Sequence, residues 1–219
     1  MRTRRLIELV NFNLFKNPNK GENMPEGKDT ETAKNLMKAF IGESMARNRY
    51  TIFSKIAKKE DYQQIAAIFE ETANHEAEHA KWNYRMLVEE LGVNGVELEV
   101  EAAGPVIWKD TAANLQSAID GEHYENTIMY PEFADIAEKE GFPKIAARLR
   151  AIAKAEWHHE QRYKKLLEQL KNNTVFKKDG KIYWVCRKCG YIHEGPEPPR
   201  ECPACGHPYS YYQRQCEEY

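Results

Sequence analysis

From about residue 30 to residue 170, apolar residues recur at spacings of three and four, and good helix formers fill the positions between them. This spacing places the apolar side chains on one face of an α-helix. Polar stretches interrupt the pattern at three places, where we expect loops. The pattern therefore predicts four long helices, over about 30–58, 62–91, 111–139 and 143–171.

Single residues mark the ends of these helices. Asp29 or Thr30 is suited to cap the first helix, and Gly92 is suited to end the second. Gly141 separates the third helix from the fourth. Pro131 lies inside the third helix, where its missing N–H predicts a kink or a local bulge.

The two halves of this helical region resemble each other. AFIGE at 39–43 corresponds to AIDGE at 118–122, an offset of 79 residues. IAKKEDYQQIAAIF at 56–69 corresponds to IAEKEGFPKIAARL at 136–149, an offset of 80 residues. Two similar helical hairpins, joined by a longer segment at 92–110, predict a four-helix bundle with one crossover connection.

The same repeat aligns a set of carboxylate and imidazole side chains. Each half supplies one Glu and, about 33 residues later, a Glu-x-x-His motif, whose two ends share a helix face. Together, two Glu and two Glu-x-x-His sets from four facing helices predict a dinuclear site for iron or manganese. The residues are Glu43, Glu76 and His79 in the first half, Glu122, Glu156 and His159 in the second, and Glu125 as an added carboxylate.

A simpler interpretation is that these charges form the solvated face of an amphipathic helix, which we would favour for a single Glu-x-x-His motif. Sets that repeat in register favour the buried site instead. Carboxylates gathered in a core without cations would repel one another and could not remain ionised. His158 and Glu160, the sequence neighbours of His159, are predicted to point away from the site.

All five cysteines lie in the last 34 residues, which is unlike the spread of cysteines in a disulfide-stapled domain. Cys186-x-x-Cys189-Gly and Cys202-Pro-x-Cys205-Gly are separated by 12 residues, and each can form a knuckle that directs two thiolates at one ion. The pair of knuckles predicts a tetrahedral four-sulfur site for iron or zinc. Cys216 lies outside the pattern, and we interpret it as a free thiol.

The composition limits the classes of protein to consider. The chain has 219 residues, enough for one medium domain and one small domain, with 42% hydrophobic and 30% charged residues. Its net charge of −2 argues against a general nucleic-acid or membrane-surface binder. No apolar run approaches the ~20 residues that span a bilayer. The clustered cysteines indicate a reducing compartment, and we expect the protein to be cytoplasmic.

The first residues place arginines before an apolar stretch, as a signal peptide does, but Glu8 interrupts that stretch and no small-residue cleavage site follows. The segment KGENM at 20–24 can be encoded with a purine-rich ribosome-binding site, and we expect translation to start at Met24. The expected domains are a disordered or untranslated appendage at 1–28, the helical bundle at 29–171, a linker at 172–181 and the four-cysteine domain at 182–219.

These signatures, in this order, resemble the rubrerythrin family over about residues 30–213. The matching stretches are GESMARNRY at 42–50, HEAEHAK at 75–81, GEHYENTIMYPEFADIAEKEGF at 121–142, AEWHHEQRY at 155–163 and the cysteine tail. The resemblance implies a mainly α protein. It consists of a ferritin-like four-helix bundle with a di-iron centre, followed by a small rubredoxin-like domain with one iron on four cysteines.

The resemblance also implies roles for individual residues. One iron of the pair would exchange Glu125 for His79 on reduction, and Tyr50 and Tyr130 would hydrogen-bond near the site. The implied iron ligands are Glu43, Glu76, Glu122, Glu125, Glu156 and His159 for the pair, and Cys186, Cys189, Cys202 and Cys205 for the single iron.

The activity that the resemblance implies is a peroxidase. It would reduce hydrogen peroxide to water and protect an anaerobe or microaerophile from oxidative stress. Electrons would come from a donor protein, such as rubredoxin or an NAD(P)H-dependent reductase, through the four-cysteine iron. Family members commonly form homodimers in which the rubredoxin-like centre of one subunit lies close to the di-iron centre of the other, so we expect a homodimer or a higher homo-oligomer.

Two other functions remain open. A ferritin-like iron-storage or ferroxidase protein would use the same bundle, although storage needs no one-electron relay from a fused four-cysteine domain. A zinc-ribbon interaction module on a helical scaffold would use the same cysteines. The N-terminal extension and Cys216 depart from the family pattern, but neither lies at a ligand position.

Overall fold

A computed structural model describes residues 27–216, and the expected start at Met24 lies outside them, as do residues 1–26 of the expected appendage. After a short 3₁₀ turn, five α-helices and one π-helical segment form the bundle. They are α1 (Glu31–Lys59), α2 (Gln63–Glu89), α3 (Thr111–Tyr124), the π segment (Glu125–Met129), α4 (Tyr130–Lys139) and α5 (Pro143–Lys171).

The bundle consists of two helical hairpins. Helix α1 packs against α2, and α3 and α4 together pack against α5. The segment 92–110 joins the two hairpins as the crossover connection. The prediction of a mainly α, ferritin-like four-helix bundle is therefore confirmed, with helix ends that differ from the predicted ones by one or two residues.

The third helix is not a single regular α-helix, in agreement with the kink or local bulge that Pro131 predicts. Its middle turn, Glu125–Met129, is π-helical, and α4 begins directly after it. Pro131 follows at the start of α4, where it cannot donate the hydrogen bond that would continue an α-helix. A π turn holds one residue more than an α turn. This extra residue accounts for the change in the repeat offset from 79 before the segment to 80 after it.

The turns of the two hairpins also correspond to each other. The first turn uses Asp61 at φ +65° and the second uses Gly141 at φ +85°. These are corresponding positions, 80 residues apart. Gly141 adopts the left-handed conformation without strain, because it has no Cβ. Asp61 is one of the few side-chain-bearing residue types that tolerate that conformation.

Each hairpin turn also caps a helix of the other half. The Glu140 carboxylate accepts hydrogen bonds from the backbone N–H of Glu31 at 3.0 Å and of Thr32 at 2.8 Å. The Glu60 carboxylate accepts a hydrogen bond of 2.9 Å from the backbone N–H of Thr111. Both contacts satisfy N–H groups at a helix N-terminus, which have no partner within their own helix. The two turns therefore hold the hairpins together, because Glu140 binds the start of α1 and Glu60 binds the start of α3.

The core of the bundle consists of two separate apolar clusters. One includes Leu36, Met86 and Leu149, and the other includes Phe53, Leu115 and Leu166. On every long helix, a buried glutamate lies between residues of one cluster and residues of the other. These glutamates are Glu43 on α1, Glu76 on α2, Glu122 on α3 and Glu156 on α5. The four acids therefore form a buried polar layer between two apolar layers.

The C-terminal domain is a small antiparallel sheet with the strand order β2-β1-β3. The strands are β1 (Ile182–Cys186), β2 (Ile192–Gly195) and β3 (Tyr212–Arg214). Trp184 and Tyr212 are fully buried beside Cys186 and Cys202, so the core is little more than two aromatic rings and the cysteines. A core of this size needs metal ligation for stability.

The C-terminal domain docks on the first hairpin of the same chain. The Phe176 ring stacks on Tyr62, with centroids 6.3 Å apart, and meets Tyr209 edge-on at 4.9 Å. Lys178 donates a hydrogen bond of 3.0 Å to Gln169 of α5. Strand β3 and the turn before it contact α2. Among residues 27–216, every helix is too short or too polar to cross a membrane.

Candidate metal centres

Six of the seven side chains predicted for the dinuclear site come together in the polar layer. They form two groups of four, in which one ligand atom of each residue lies within 4.8 Å of the others. The first group is Glu43, Glu76, His79 and Glu156, and the second is Glu76, Glu122, Glu156 and His159. Glu76 and Glu156 belong to both groups, so each is placed to bridge two ions.

The two imidazoles face the carboxylates with the same ring atom. Nδ1 of His79 lies 2.7 Å from Oε1 of Glu156 and 3.0 Å from Oε2 of Glu76. Nδ1 of His159 lies 2.9 Å from Oε2 of Glu156 and 3.4 Å from Oε1 of Glu76. The two groups are thus related by the repeat. Each combines one imidazole with the two shared carboxylates and one carboxylate of its own.

The residues present fit a pair of bound cations. Within the described part of the chain, buried oxygens of all four glutamates accept no hydrogen bond: Oε2 of Glu43, Oε1 of Glu76, Oε2 of Glu122 and both oxygens of Glu156. Buried polar atoms are rarely left without a partner. An arrangement of inward-facing carboxylate oxygens and imidazole nitrogens is the ligand chemistry of iron and manganese sites.

The pKa shifts of the site residues show where positive charge is needed. Burial, together with the neighbouring carboxylates, raises the pKa of Glu43 and Glu122 well above the usual value. Glu156 differs: burial opposes its ionisation, but the adjacent imidazoles of His159 and His79 outweigh burial and lower its pKa to about 2. Burial likewise opposes the charged form of His79, but the carboxylates of Glu156 and Glu76 outweigh burial and raise the pKa of His79 to about 10. Protons on the imidazoles therefore occupy the electrostatic role that two cations would fill.

Glu125, the seventh predicted ligand, lies outside both groups. It is on the π segment, almost fully buried, and among the described residues it has no hydrogen bond or ion pair. It lines a cavity of about 330 Å³ that opens beside α1 and the crossover segment. Burial, followed by the charge of Glu122, raises the pKa of Glu125 well above its usual value. In this structure the His79 imidazole, rather than the Glu125 carboxylate, completes the first group.

The two predicted tyrosines bind the two carboxylates that are not shared. The Tyr50 hydroxyl donates a hydrogen bond of 2.7 Å to Oε1 of Glu122, and the Tyr130 hydroxyl donates a short hydrogen bond to Oε1 of Glu43. Asn83, which the sequence did not single out, donates to the Tyr130 hydroxyl at 3.1 Å. Burial and adjacent carboxylates raise the pKa of both tyrosines well above 10, so both remain protonated donors.

His75 is a second residue that the sequence interpretation missed. Its Nδ1 lies 3.1 Å from Nε2 of His159, and the two rings are stacked at 5.2 Å. His75 therefore contacts the ring nitrogen of His159 that faces away from the carboxylates. The spacing of His75 and His79, four residues on one helix, could have indicated that both face the same side.

The neighbours of His159 lie as the helical spacing predicts. His158 is exposed. Glu160 is buried but belongs to a separate polar cluster, where it lies 3.0 Å from Nδ1 of His123 and accepts hydrogen bonds from Asn126 and Lys164. Neither residue contributes to the two metal-type groups.

The four cysteines of the two knuckles also come together, with each Sγ within 4.8 Å of the others. Gly190 and Gly206 follow the second cysteine of each knuckle and adopt φ +79° and +70°, which closes the turn. Burial opposes ionisation of Cys202, but hydrogen bonds from Tyr212 and from backbone N–H groups lower the pKa of its thiol to about 6. This environment favours thiolate, the form that binds a metal, at Cys202.

A four-helix bundle with a paired carboxylate-imidazole site, followed by a four-thiolate domain, defines the class of ferritin-like di-iron proteins with a fused rubredoxin-like domain. Family models support the same division of the chain. The rubrerythrin model matches residues 34–167, and the model of the rubrerythrin rubredoxin-like domain matches residues 184–213. The chain belongs to the rubrerythrin family.

Several relatives are similar over nearly their whole length. A protein of Methanocaldococcus jannaschii described as a putative rubrerythrin is 55% identical and covers 86% of this chain and 95% of its own. The rubrerythrin of Clostridium perfringens is 50% identical, over 88% of this chain and 98% of its own. A solved structure of mixed-valence nigerythrin has a TM-score of 0.57 and 30% identity, over 98% of this chain and all of its own.

Membership of this family identifies the two centres. The bundle carries a di-iron site with carboxylate and histidine ligands, and the C-terminal domain carries a rubredoxin-like four-cysteine site. The protein is an oxidoreductase of the kind that acts in oxidative-stress defence.

Proposed function

We propose that this protein is a peroxidase that reduces hydrogen peroxide to water, with electrons passed from the four-cysteine iron to the iron pair. The observation that supports this most directly is the docking of the four-cysteine domain on the hairpin that supplies Glu76 and His79. A one-electron centre docked on the bundle that contains the two-metal site is suited to repeated reduction of that site. Iron storage would need no such centre, so this placement argues against the storage alternative.

Our ligand assignment follows the two groups. Glu76 and Glu156 would hold both irons, and the ligands that would hold one iron each are Glu43 for the first and Glu122 and His159 for the second. His79 and Glu125 are alternative ligands of the first iron. The reduced iron pair supplies the two electrons that cleavage of the peroxide O–O bond consumes.

The alternation of His79 and Glu125 matches the charge of the site to its oxidation level. A neutral imidazole adds no negative charge and suits the reduced pair, whereas a carboxylate neutralises part of the added charge of the oxidised pair. The structure has the imidazole in place and the carboxylate withdrawn to the cavity wall. We expect this arrangement in the reduced form, which is the form that would react with peroxide.

Tyr50 and Tyr130 orient the carboxylates that belong to single irons. Because each phenol remains protonated, its hydroxyl fixes one oxygen of Glu122 or Glu43 and leaves the other oxygen facing the iron pair. A ligand held in this way is pre-organised for the metal.

Charged groups of the four-cysteine domain and of α2 interact with each other. Arg187, directly after Cys186, interacts electrostatically with Glu71 of α2. Glu71 lies one helical turn before His75, and His75 contacts His159. On the far side of the domain, Cys189 is exposed, which leaves the four-cysteine site accessible to a donor such as rubredoxin or an NAD(P)H-dependent reductase.

Stopped-flow oxidation of the fully reduced protein tests the proposal. We expect peroxide to oxidise the iron pair faster than dissolved oxygen does at equal concentration, and the four-cysteine iron to be oxidised only afterwards. A faster reaction with oxygen than with peroxide would overturn the peroxidase assignment and favour a ferroxidase. Protein whose four-cysteine site holds zinc serves as the control, because it should react once and then stop.

A further inference from the structure

The π segment is tied to two helices by the side chain of one of its own residues, Asn126. The amide nitrogen Nδ2 of Asn126 donates a hydrogen bond of 2.6 Å to the backbone carbonyl of Glu122 and one of 2.9 Å to Oε2 of Glu160. Glu122 is on α3 and Glu160 is on α5. A single amide group therefore fixes the π segment to the helix before it and to the helix packed against it.

Glu160 is held firmly at its end of this contact. It is 2% exposed, and its other oxygen, Oε1, lies 2.5 Å from Nζ of Lys164 and 3.0 Å from Nδ1 of His123. A buried carboxylate with several partners stays in place, because moving it would leave a buried charge unpaired. Glu160 belongs to neither metal-type group, so these contacts serve something other than cation binding.

The first half of the repeat differs at both positions. Because His159 corresponds to His79, Glu160 corresponds to Ala80, which has no side-chain acceptor. At the offset of 79 that holds before the π segment, Asn126 corresponds to Arg47, which is exposed. Helix α1 continues through these positions as a regular α-helix. The hydrogen bonds of Asn126 and the π segment therefore occur together, in the second half.

The ligand Glu125 depends on this turn for its position. Glu125 is the first residue of the π segment and directly precedes Asn126. Single π turns are rare and frequently lie at functional sites. Here two hydrogen bonds, one of them to a charged group, fix the turn through the residue next to the ligand. With its backbone fixed, Glu125 can move between the cavity wall and the irons by rotation of its side chain alone.

We propose that Asn126 and Glu160 are positioning residues, whose contact holds the π segment still while the Glu125 side chain reaches the iron pair and withdraws from it. This inference rests on the proposed exchange of Glu125 and His79. A fixed turn pre-organises the Glu125 carboxylate for the oxidised pair, which is the form that it would bind. A loosened turn weakens that form and leaves the reduced form, with His79 as the ligand, unchanged. Loss of the contact therefore raises the midpoint potential of the iron pair.

The test compares Asn126→Leu, which keeps the shape of the side chain and removes both hydrogen bonds, with Gln116→Leu as the matched control. Gln116 on α3 also donates an amide hydrogen bond to a carboxylate, that of Asp120 at 3.0 Å, but this pair is exposed and precedes the π segment. Three properties are measured on the iron-loaded protein. They are the midpoint potential of the iron pair, the rate of amide hydrogen exchange at 125–129, and the positions of Glu125 and Asn126 in crystals of the oxidised and reduced forms.

We expect Asn126→Leu to raise the midpoint potential and to speed amide exchange in the π segment by about tenfold or more, because hydrogen bonds to charged groups are among the stronger ones. Gln116→Leu should change neither property. In wild-type crystals, both hydrogen bonds of Asn126 should be the same in the two oxidation states while the Glu125 side chain moves. If Asn126→Leu does not retain iron, Asn126→Ala, which also lacks the donor, is measured in its place.

An exchange of donor and acceptor separates positioning from a general loss of stability. Asn126→Asp places two carboxylates side by side, so its effect on the potential should exceed that of Asn126→Leu. Adding Glu160→Gln to Asn126→Asp restores a hydrogen bond between an amide and a carboxylate at this place. The double variant should therefore have a potential closer to that of the wild type than Asn126→Asp alone has.

An unchanged midpoint potential in the variant without the donor would overturn the proposal, even with faster amide exchange, because the contact would then only support the fold. Wild-type crystals in which Asn126 leaves Glu160 in one oxidation state would also overturn it, since the turn would then move with the ligand. So would a double variant that is no closer to the wild type than Asn126→Asp. None of these measurements uses peroxide, so a protein that reacted faster with oxygen would refute the peroxidase assignment and leave this result intact.

Discussion

Nδ1 of His79 lies 2.7 Å from Oε1 of Glu156, and His79 is the imidazole of the first ligand group, from which Glu125 is absent. His79 is on α2 and Glu125 is on the π segment, so the two candidate ligands approach the same iron from different hairpins. Either side chain can therefore leave the iron without moving the helix that carries the other side chain. The bridging carboxylates, which belong to both groups, keep the irons in place during the exchange.

The first prediction concerns these alternating ligands. We expect Glu125→Ala and His79→Ala to slow peroxide turnover by at least about tenfold while most of the iron remains bound, because each ligand serves one oxidation level. Iron analysis beside steady-state peroxidase rates provides the measurement. Loss of the iron pair from both variants would show that the two residues are permanent ligands.

The second prediction separates shared carboxylates from those of a single group. Glu76 belongs to both groups, whereas Glu43 belongs only to the first. Glu76→Ala should lose both irons of the bundle, and Glu43→Ala should lose one. The measurement is iron per chain, with the four-cysteine iron counted separately by its visible absorption. Equal losses in the two variants would contradict the bridging assignment.

The third prediction concerns the contact between His75 and His159. Residues that orient a metal ligand typically change metal affinity by about 10- to 100-fold when they are replaced. We expect His75→Phe to weaken binding of the second iron by this amount, and His75→Gln, which retains a hydrogen-bonding group, to weaken it less. Iron affinity is measured by competition with a chelator. His158→Phe is the control on the neighbouring exposed position, and an equal effect there would mean that His75 has no specific role.

The fourth prediction tests whether the two centres cooperate within one chain. Phe176 fixes the four-cysteine domain on α2 of its own chain by stacking on Tyr62. Mixed oligomers are prepared from Cys202→Ser chains, which lack the single iron, and Glu76→Ala chains, which lack the iron pair. If electrons pass within a chain, the mixture should show no more turnover than the two variants measured separately. Recovery of a substantial share of wild-type turnover would indicate transfer between subunits.

The fifth prediction concerns the pH dependence of stability. Burial opposes ionisation of Glu140, but hydrogen bonds from Thr32 and from the backbone of Glu31 lower its pKa below the usual value. A lowered pKa in the folded state stabilises the fold above the unfolded-state pKa, near 4.3. This stabilisation is lost as the pH falls through the folded-state pKa.

Glu140→Gln should therefore reduce stability at neutral pH and have little effect in acid. The measurement is the urea midpoint of the variant and the wild type as a function of pH. Glu60, at the equivalent turn of the other half, accepts one backbone hydrogen bond, which the amide oxygen of Gln can still accept, so Glu60→Gln should have a smaller effect. A loss for Glu140→Gln that is independent of pH would show that the carboxylate charge plays no part.

Much of this architecture could be predicted from the sequence, because it depends on the spacing of particular residues along the chain. The repeat of Glu43 and Glu122, followed by the two Glu-x-x-His motifs, defines which helix faces meet, and the structure brings those faces together. The two Cys-x-x-Cys-Gly motifs were equally informative, since a knuckle is formed by neighbouring residues. In both cases short-range geometry alone determines which side chains converge.

The partners of the predicted tyrosines, and the residues that the sequence interpretation missed, depend on contacts between elements. The bond from Tyr50 to Glu122 crosses from one half of the chain to the other, and so does the bond from Tyr130 to Glu43. The contact of His75 with His159 and the contact of Asn126 with Glu160 also join different elements. No periodicity within one helix specifies such partners. Pro131 did indicate an irregularity, but not that the irregular turn would hold one extra residue.

The extra residue of the π segment makes the two halves of the bundle unequal, although they would otherwise be related as a two-fold repeat. In the first half, Glu43 precedes Tyr50 by seven positions. In the second half, Glu122 precedes Tyr130 by eight. An α-helix turns by about 100° per residue, so without the wide turn the Tyr130 ring would point roughly a quarter-circle away from Glu43. The wide turn realigns the phenol and also introduces a glutamate that the first half lacks. The two otherwise similar ligand groups thereby differ at one metal position, and that is the position at which the proposed ligand exchange takes place.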